Sequence, residues 1–362
     1  MREIINEVDR WIGSGEQRIT VATVLKTYGS APRGVGGKLA VAGDGRICGS
    51  ISGGCVESAI IEEGLKMEPS SPPRVLHFET SNESAWEVGL PCGGTIDVLL
   101  ENLEIEHYRF LKERVEANEW AFSVTILEGE LRGRKISFDR KGNSFGLAGP
   151  LAGALGDGLR KLASKFESST RATTDDGIEL FVEAIRPAPT LVLVGGVHIA
   201  IALVAFAKTL GYRTIVVDPR QTFGSAERFP DVDRLIRRWP DEAFEQFEIT
   251  PETSVVVLTH DPKLDDPALY RTLKSPAFYI GALGSNRTQE NRKKRLMEMG
   301  FSEGELSRIH GPVGLDIDAS TPEEIALSII TELVALSRHS KAVLRVSDFA
   351  LTASRTERSI PS

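Results

Sequence analysis

Cysteine is scarce in this 362-residue chain: Cys48, Cys55 and Cys92 are the only three, and no pair has C-x-x-C spacing. That excludes a disulfide framework and a zinc ribbon, which need more thiols at closer spacing. The six histidines are scattered without an H-x-x-x-H pair, so no metal centre built from protein ligands alone is expected. No run approaches the roughly 20 apolar residues that a membrane-spanning helix requires. Basic residues are outnumbered, 43 Lys and Arg against 51 Asp and Glu, for a formal net charge of -8. A general nucleic-acid binder draws its affinity from excess cationic side chains, so that class is excluded too. The opening MREIINEV carries acids and no apolar core, unlike a secretory signal. The expected setting is the cytoplasm, with neither membrane nor nucleic acid as partner.

What is present suits a globular protein of two domains. The length exceeds one ordinary core, and 41% hydrophobic with 26% charged residues is a soluble composition. The sharpest break is Arg186-Pro187-Ala188-Pro189, where two prolines stiffen the chain just before the apolar run TLVLV. Domains are therefore expected over 1–186 and 190–338, with a polar tail over 339–362. The stretch EPSSPP at 68–73 reads as a surface loop, and no internal repeat of fixed period is evident. In the first half, apolar patterning predicts strands over 18–28, 38–42, 46–48, 75–80, 95–100, 122–128, 135–139 and 179–184. Helices are expected over 56–67, 106–117 and 151–165. The order is mixed α/β and defines no single topology.

The second half alternates strand and helix: 191–194, 198–210, 213–217, 254–258, 267–273, 277–280, 288–299 and 322–336. Such alternation needs crossover helices, hence a doubly wound parallel sheet of Rossmann type. After the first strand stands Gly195-Gly196-Val197-His198-Ile199-Ala200, where a dinucleotide fingerprint would read G-x-G-x-x-G/A. The first Gly and final Ala fit, but Val197 replaces the middle Gly that lets pyrophosphate approach the backbone. Asp218 ends the second strand where a ribose-binding carboxylate belongs. A nucleotide-type site would collect Gly195, Gly196, His198, Asp218, His260, Asp261, Gly284, Ser285 and Arg287 at the strand ends. The alternative is a Rossmann scaffold without its dinucleotide. The run Arg292-Lys293-Lys294-Arg295 reads as a solvated helix face.

Two features of the first half carry chemistry. The segment GSAPRGVGGK at 29–38 follows a strand; Ser30, Gly36 and Gly37 offer backbone NH groups while Arg33 and Lys38 bring positive charge. It is either a cradle for a phosphate or pterin edge, or an ordinary glycine turn. The second feature is a pair of thiol loops. GSISGGCVE at 49–57 puts Cys55 where Gly53 and Gly54 lead into the helix expected over 56–67, with Glu57 in its first turn, and PCGG puts Cys92 beside Gly93 and Gly94 before a strand. A helix N-terminus lowers a thiol's pKa, and thiolates are soft ligands suited to molybdenum–sulfur chemistry or to a persulfide. The alternative is burial, the common fate of free cysteine; Cys48 reads as buried and inert.

At these residues the chain resembles the xanthine dehydrogenase accessory (XdhC/CoxI) family. The similar segments are GSAPRGVGGKL, GSISGGCVES and PCGGTIDVLLE, then LVLVGGVHIA, VVDPR, VVLTHDPKLDD, YIGALGSNR and GPVGLDIDASTPEEIALSI. The core motifs span 18–103 with an extension over 104–186, and the Rossmann-like half is the family's C-terminal domain. The resemblance implies a protein that binds the molybdenum cofactor (molybdopterin) and shields it. It also implies aid to sulfuration by a cysteine desulfurase, and help with insertion into a xanthine dehydrogenase-type apoenzyme. It further implies a homo-oligomer, a dimer being expected, which is not itself the hydroxylase. Ser30, Arg33, Gly36, Gly37, Lys38, Gly53, Gly54, Glu57, Gly93 and Gly94 then become cofactor contacts, with Cys55 and Cys92 as ligands or sulfur relays. A competing class is an NAD(P)-dependent oxidoreductase using Asp218 for ribose and His260 or Asp261 for proton transfer. A third gives the Rossmann-like half only dimerisation and docking.

Overall fold

The computed structural model describes residues 1–29, 33–54, 56–79 and 94–338. The chain divides into two compact units, Met1–Pro187 and Ala188–Ser362. The first opens with α1 (Arg2–Gly13), β1 (Ile19–Gly29), β2 (Lys38–Ala42) and β3 (Ile47–Gly49), followed by α2 (Glu57–Leu65), β4 (Arg74–Glu79) and β5 (Gly94–Asn102). These strands form one antiparallel sheet in the order β3-β2-β1-β5-β4. Then come α3 (Ile105–Glu116), β6 (Ala121–Ile126), β7 (Lys135–Asp139), β8 (Ser144–Phe145), α4 (Ala154–Ala163), β9 (Thr170–Thr173) and β10 (Glu179–Ile185). They build a second antiparallel sheet in the order β8-β7-β6-β10-β9. The two sheets run through one strand order twice, a repeat that the sequence reading does not anticipate.

Alternation explains the layers. On β1, Ala22 and Val24 face α2, where Ile60, with Met67 just after the helix, completes a core with Leu39, Val98 and Leu100. Ile19 and Val21 face the other way, onto α1 and α3, and meet Ile4, Val8, Tyr108 and Leu111. The second sheet rests Val124, Ile136 and Val182 on Leu159 and Ala163 of α4. The helix α1 is absent from the sequence reading, although Ile4, Ile5, Val8 and Trp11 form its buried stripe.

The second unit is the expected doubly wound sheet. Its elements are β11 (Thr190–Val194), α5 (His198–Thr209), β12 (Arg213–Val217), β13 (Arg234–Ile236), α6 (Pro240–Ala243) and β14 (Thr253–Val257). They continue with α7 (Pro262–Leu273), β15 (Tyr279–Ala282), α8 (Asn286–Glu298), α9 (Glu303–Leu306), β16 (Ile309–His310) and α10 (Pro322–Ser337). All pairings are parallel in the order β13-β12-β11-β14-β15-β16. The order reverses between β11 and β14, which is where ligands enter such sheets. One face buries α7, α8 and α9, the other α5 and α10.

The basic run on α8 is not simply a solvated face. Arg292 is 2% exposed and donates to Asp265 at 3.0 Å, while Arg295 pairs with Asp266 at 2.6 Å. Lys293 and Lys294 alone of the four point to solvent. Asp265 also accepts from Thr259, so the two acids of the PKLDD segment bolt α7 to α8 and to the end of β14. Breaking one side of a buried pair leaves an uncompensated charge, which costs about 3–5 kcal/mol. Asp265→Ala should therefore lower the unfolding free energy by about 3 kcal/mol or more in denaturant melts. A loss under about 1 kcal/mol, the range of a surface pair, would show that Arg292 finds water instead.

Candidate functional site

Strand direction gathers the motifs of the first half. Because neighbours are antiparallel, the C-terminal ends of β1, β3 and β4 and the N-terminal ends of β2 and β5 share one end of the first sheet. The segments 29–38, 49–57 and 79–94 thus begin and end on one rim. The rim is stepped: Lys38 pairs with Thr23 and Gly49 with Leu39, whereas β1 runs on with β5 until Gly29 faces Gly94. Tyr28 on this extension is 75% exposed, an aromatic that the motif reading passed over. Ser30, Cys55, Cys92 and Gly93 lie outside the described residues.

Glu57, at the first turn of α2, determines the loop before it. Its Oε1 accepts from the Ser50 hydroxyl at 3.0 Å and from the amides of Ile51, Ser52 and Gly53 at 3.3, 2.9 and 3.0 Å. Its Oε2 accepts from the Gly54 amide at 2.9 Å and from the Ser52 hydroxyl. Ser52 Oγ in turn accepts from the Val56 amide at 3.1 Å. Burial pushes the Glu57 carboxyl up, but the bonds from Ser52 and Ser50 outweigh it and bring the pKa to about 2. The amides of Gly53 and Gly54 thus hold a carboxylate of the chain itself. Glu57 fixes Gly54 and, through Ser52, Val56, the neighbours of position 55.

Residues 33–38 form a turn that packs on its neighbours. Gly36, at φ +89°, donates to the Val24 carbonyl, and a Cβ built there would lie 2.8 Å from Ser169 Oγ. Gly37 bonds back to Gly34. Lys38 is 3% exposed; its ammonium donates to Thr23 Oγ1 at 2.8 Å and lies 3.2 Å from Glu183. The Lys38 ammonium is thus turned toward Thr23 and Glu183 beneath the turn. Arg33 keeps 44% of its side chain exposed but pairs with Glu3, which also accepts from the Lys38 amide. Cys48 is half-buried, and burial followed by the nearby Glu7 charge pushes its thiol up to about 11, so it stays protonated. Gly94 opens β5 opposite Gly29.

In the second unit the candidate residues follow the C-terminal ends of parallel strands, and Asp218, Asp261 and Ser285 among them are engaged in local bonds. Asp218 is 0% exposed; its oxygens accept from the Gly196 amide at 2.7 Å and from the Arg220 amide and guanidinium at 2.7–2.9 Å. A Cβ on Gly196 would lie 2.4 Å from the Phe223 carbonyl oxygen, and one on Gly195 2.4 Å from Thr259 Cγ2. The chain after β12 thus lies close against the glycine turn. Asp261 caps α7 by accepting from Lys263, and Ser285 caps α8 by accepting from Thr288. Gly284, at φ +131°, makes the preceding turn. His198, His260 and Arg287 are exposed. Arg220 and Phe223, which the motif reading missed, could have been suspected from the DPRQTF sequence directly after β12.

The comparisons agree with this architecture. The XdhC and CoxI family model matches residues 13–79, and the XdhC Rossmann domain model matches residues 191–333. The chain belongs to the XdhC and CoxI family. It is 28% identical to a Bacillus subtilis protein named as a probable xanthine dehydrogenase subunit, covering 88% of this chain and 93% of that one. It is 27% identical to the molybdenum cofactor insertion chaperone PaoD of Escherichia coli, covering 91% and 86%. A crystal structure titled as a xanthine dehydrogenase from Bacillus halodurans superposes with TM-score 0.77 at 27% identity, covering 94% of this chain and 97% of that one.

Two outcomes follow from the site geometry. A carboxylate whose folded pKa lies below its unfolded value stabilises above the unfolded pKa and loses that effect as pH falls through the folded one. The stability gap between wild type and Glu57→Gln should therefore be full at pH 7 and shrink between about pH 5 and pH 2. Denaturant melts at pH 7, 4.5 and 3 read it, and a pH-independent gap would reject the charged nest. Calorimetric titration with NADH or NADPH should show no saturable binding up to about 1 mM, the limit of a 4 kcal/mol interaction. A micromolar constant would mean that Asp218 lets go of Gly196.

Proposed function

We propose that this chain is an accessory protein that carries the molybdenum cofactor as cargo. On this reading it shields the cofactor in the cytoplasm, supports its sulfuration by a cysteine desulfurase, and aids its insertion into a xanthine dehydrogenase-type apoenzyme. The observation that carries the reading is the Glu57 nest, which fixes the backbone on both sides of Cys55 on the rim shared by every motif of the first half. Family membership supports it, as does the likeness to a protein named for molybdenum cofactor insertion. No helix among the described residues is long and apolar enough to cross a membrane, and none of their His, Cys, Asp and Glu groups could hold a metal ion unaided.

The proposed chemistry needs little from the protein. A thiolate at Cys55 or Cys92 would be a soft ligand for molybdenum, or would take the outer sulfur of a desulfurase persulfide by displacing the desulfurase thiolate. Arg33 and Tyr28 offer a guanidinium and an aromatic face on the same rim. Glu57 acts as a positioning residue, with its oxygens turned to the loop amides.

The test is to purify the full chain anaerobically from cells that make the cofactor and to assay bound pterin and molybdenum. Wild type should retain both. Cys55→Ala and Cys92→Ala should each lower retention about tenfold, a loss of about 1.4 kcal/mol, with unchanged melting curves. Full retention in both variants would remove the thiols from the mechanism, and wild type without pterin would overturn the proposal.

A further inference from the structure

We infer that residues 2–185 are two tandem copies of one module, each running helix, three strands, helix, two strands, docked by an exchange of ion pairs, and that only the first copy carries a ligand rim. The two sheets share one strand order, β3-β2-β1-β5-β4 against β8-β7-β6-β10-β9, and every pairing is antiparallel in both. Individual residues then coincide. Gly36, Lys38, Gly45 and Gly49 recur as Gly133, Lys135, Gly142 and Gly146, a shared G-x-K-x6-G-x3-G spacing. All six of the glycines have positive φ, between +82° and +96°. A Cβ on Gly49 would meet the Lys38 carbonyl oxygen at 2.2 Å, and one on Gly146 the Lys135 carbonyl oxygen at 2.4 Å. The same two Cβ atoms would meet Ile4 of α1 and His107 of α3, which hold the same place in their helices.

The contacts between copies are reciprocal. On β1 and β5, Val21 faces Glu101; on β6 and β10, Ser123 faces Glu183. The two glutamates are thus equivalent, and each crosses to the other copy's lysine: Lys38 to Glu183 at 3.2 Å and Lys135 to Glu101 at 2.6 Å. The turns cross as well. Gly36 closes on Ser169, the residue before β9, and Gly133 on Pro73, the residue before β4. Beneath the ion pairs, Leu25 and Leu99 meet their counterparts Leu127 and Phe181. A small, partly open cavity of about 40 Å³ beside them is lined by all four charged side chains, room for two or three waters. Glu183 is therefore a positioning residue: a carboxylate of the second copy pins the lysine that ends the 33–38 turn of the first.

The rims have diverged. The second copy has no cysteine, and its β9 and β10 are joined by a short turn over 174–178 where the first copy spans 80–93. Aligning the buried Leu159 and Ala163 of α4 with Ile60 and Gly64 of α2 puts Gly156 where Glu57 stands. A Cβ there would lie 2.1 Å from the Leu151 carbonyl oxygen, so no carboxylate can enter that loop. One ligand per chain follows, a count that rests on the proposed cofactor function.

Hydrogen exchange on the full chain tests the exchange of partners. Glu183→Gln should speed amide exchange about tenfold in the 33–38 turn of the first copy, and Glu101→Gln in the 130–135 turn of the second. Either substitution loosening its own copy's turn, or both loosening both equally, overturns the inference. Should these variants fail to fold, charge swaps decide: Lys38→Glu with Glu183→Lys should recover a folded chain, and Lys38→Glu with Glu101→Lys should not. Equal rescue by both overturns it. In the pterin assay the ratio should approach one per chain; a ratio near two rejects the single rim. Absence of pterin in wild type would count against the cofactor function alone, and the exchange and swap results would still decide the duplication.

Discussion

Four charges taken out of water between the sheets of the first unit are the constraint on which the rest of that unit depends. The side chains of Lys38, Lys135, Glu101 and Glu183 are each at most 10% exposed, and a lone buried ion costs several kcal/mol. Burial pushes Lys135 down and Glu183 up, yet the opposing charges win: Lys135 is held above its ordinary range by Glu101 and Glu104, and Glu183 below by Lys38. Burial keeps His107, beside them, neutral with its pKa at about 4, so it adds no fifth charge. The set balances only when the two sheets face each other in one register. An interface of Leu25, Leu99, Leu127 and Phe181 alone would tolerate a slip; the ion pairs do not.

That dependence reaches the rim because each lysine is the first residue of its strand, two positions after a glycine in the left-handed region. The docking of the sheets and the shape of the turns are one problem. A side chain at Gly36 or Gly133 would both strain the backbone and strike the neighbouring copy. The positive charge and the glycines of the 29–38 segment thus have a structural use, and the same residue types read alone suggest a phosphate cradle. Composition cannot separate the two, because a turn that approaches a ligand and one that approaches another sheet need the same freedom.

Much of the fold is legible in the sequence, and the misses have physical causes. Long apolar runs such as 191–194 and 213–217 give strands to within a residue, since burial on both faces leaves a continuous signal. The two-residue strands β8 and β16 carry no period to read. The start of α7 is read late, at Pro267, because that proline looks like a first turn; the helix begins at Pro262 behind the Asp261 cap. The repeat escapes notice because the copies share turn glycines and one lysine while their apolar positions vary freely among Val, Ile, Leu and Phe. At the site, the residue types are legible but their direction is not. Glu57 and Asp218 both stand beside glycine loops, as ligand-binding carboxylates would, and both turn inward.

Those two carboxylates show one device with opposite consequences. Backbone amides left free at a glycine loop are a trap for any anion, and here the anion is a carboxylate of the chain itself. Asp218 fills such a trap with a lid over it: Arg220 covers the carboxylate and the Phe223 carbonyl lies against Gly196, so the turn is closed to an outside phosphate. Glu57 fills its trap from below. Gly53 and Gly54 stay exposed while their amides point inward, so the loop is held in shape without being covered. A closed nest suits a scaffold, and a held but open loop suits a position that must meet a partner. Because the amide charge is already neutralised by Glu57, attraction for an anion at that rim has to come from side chains.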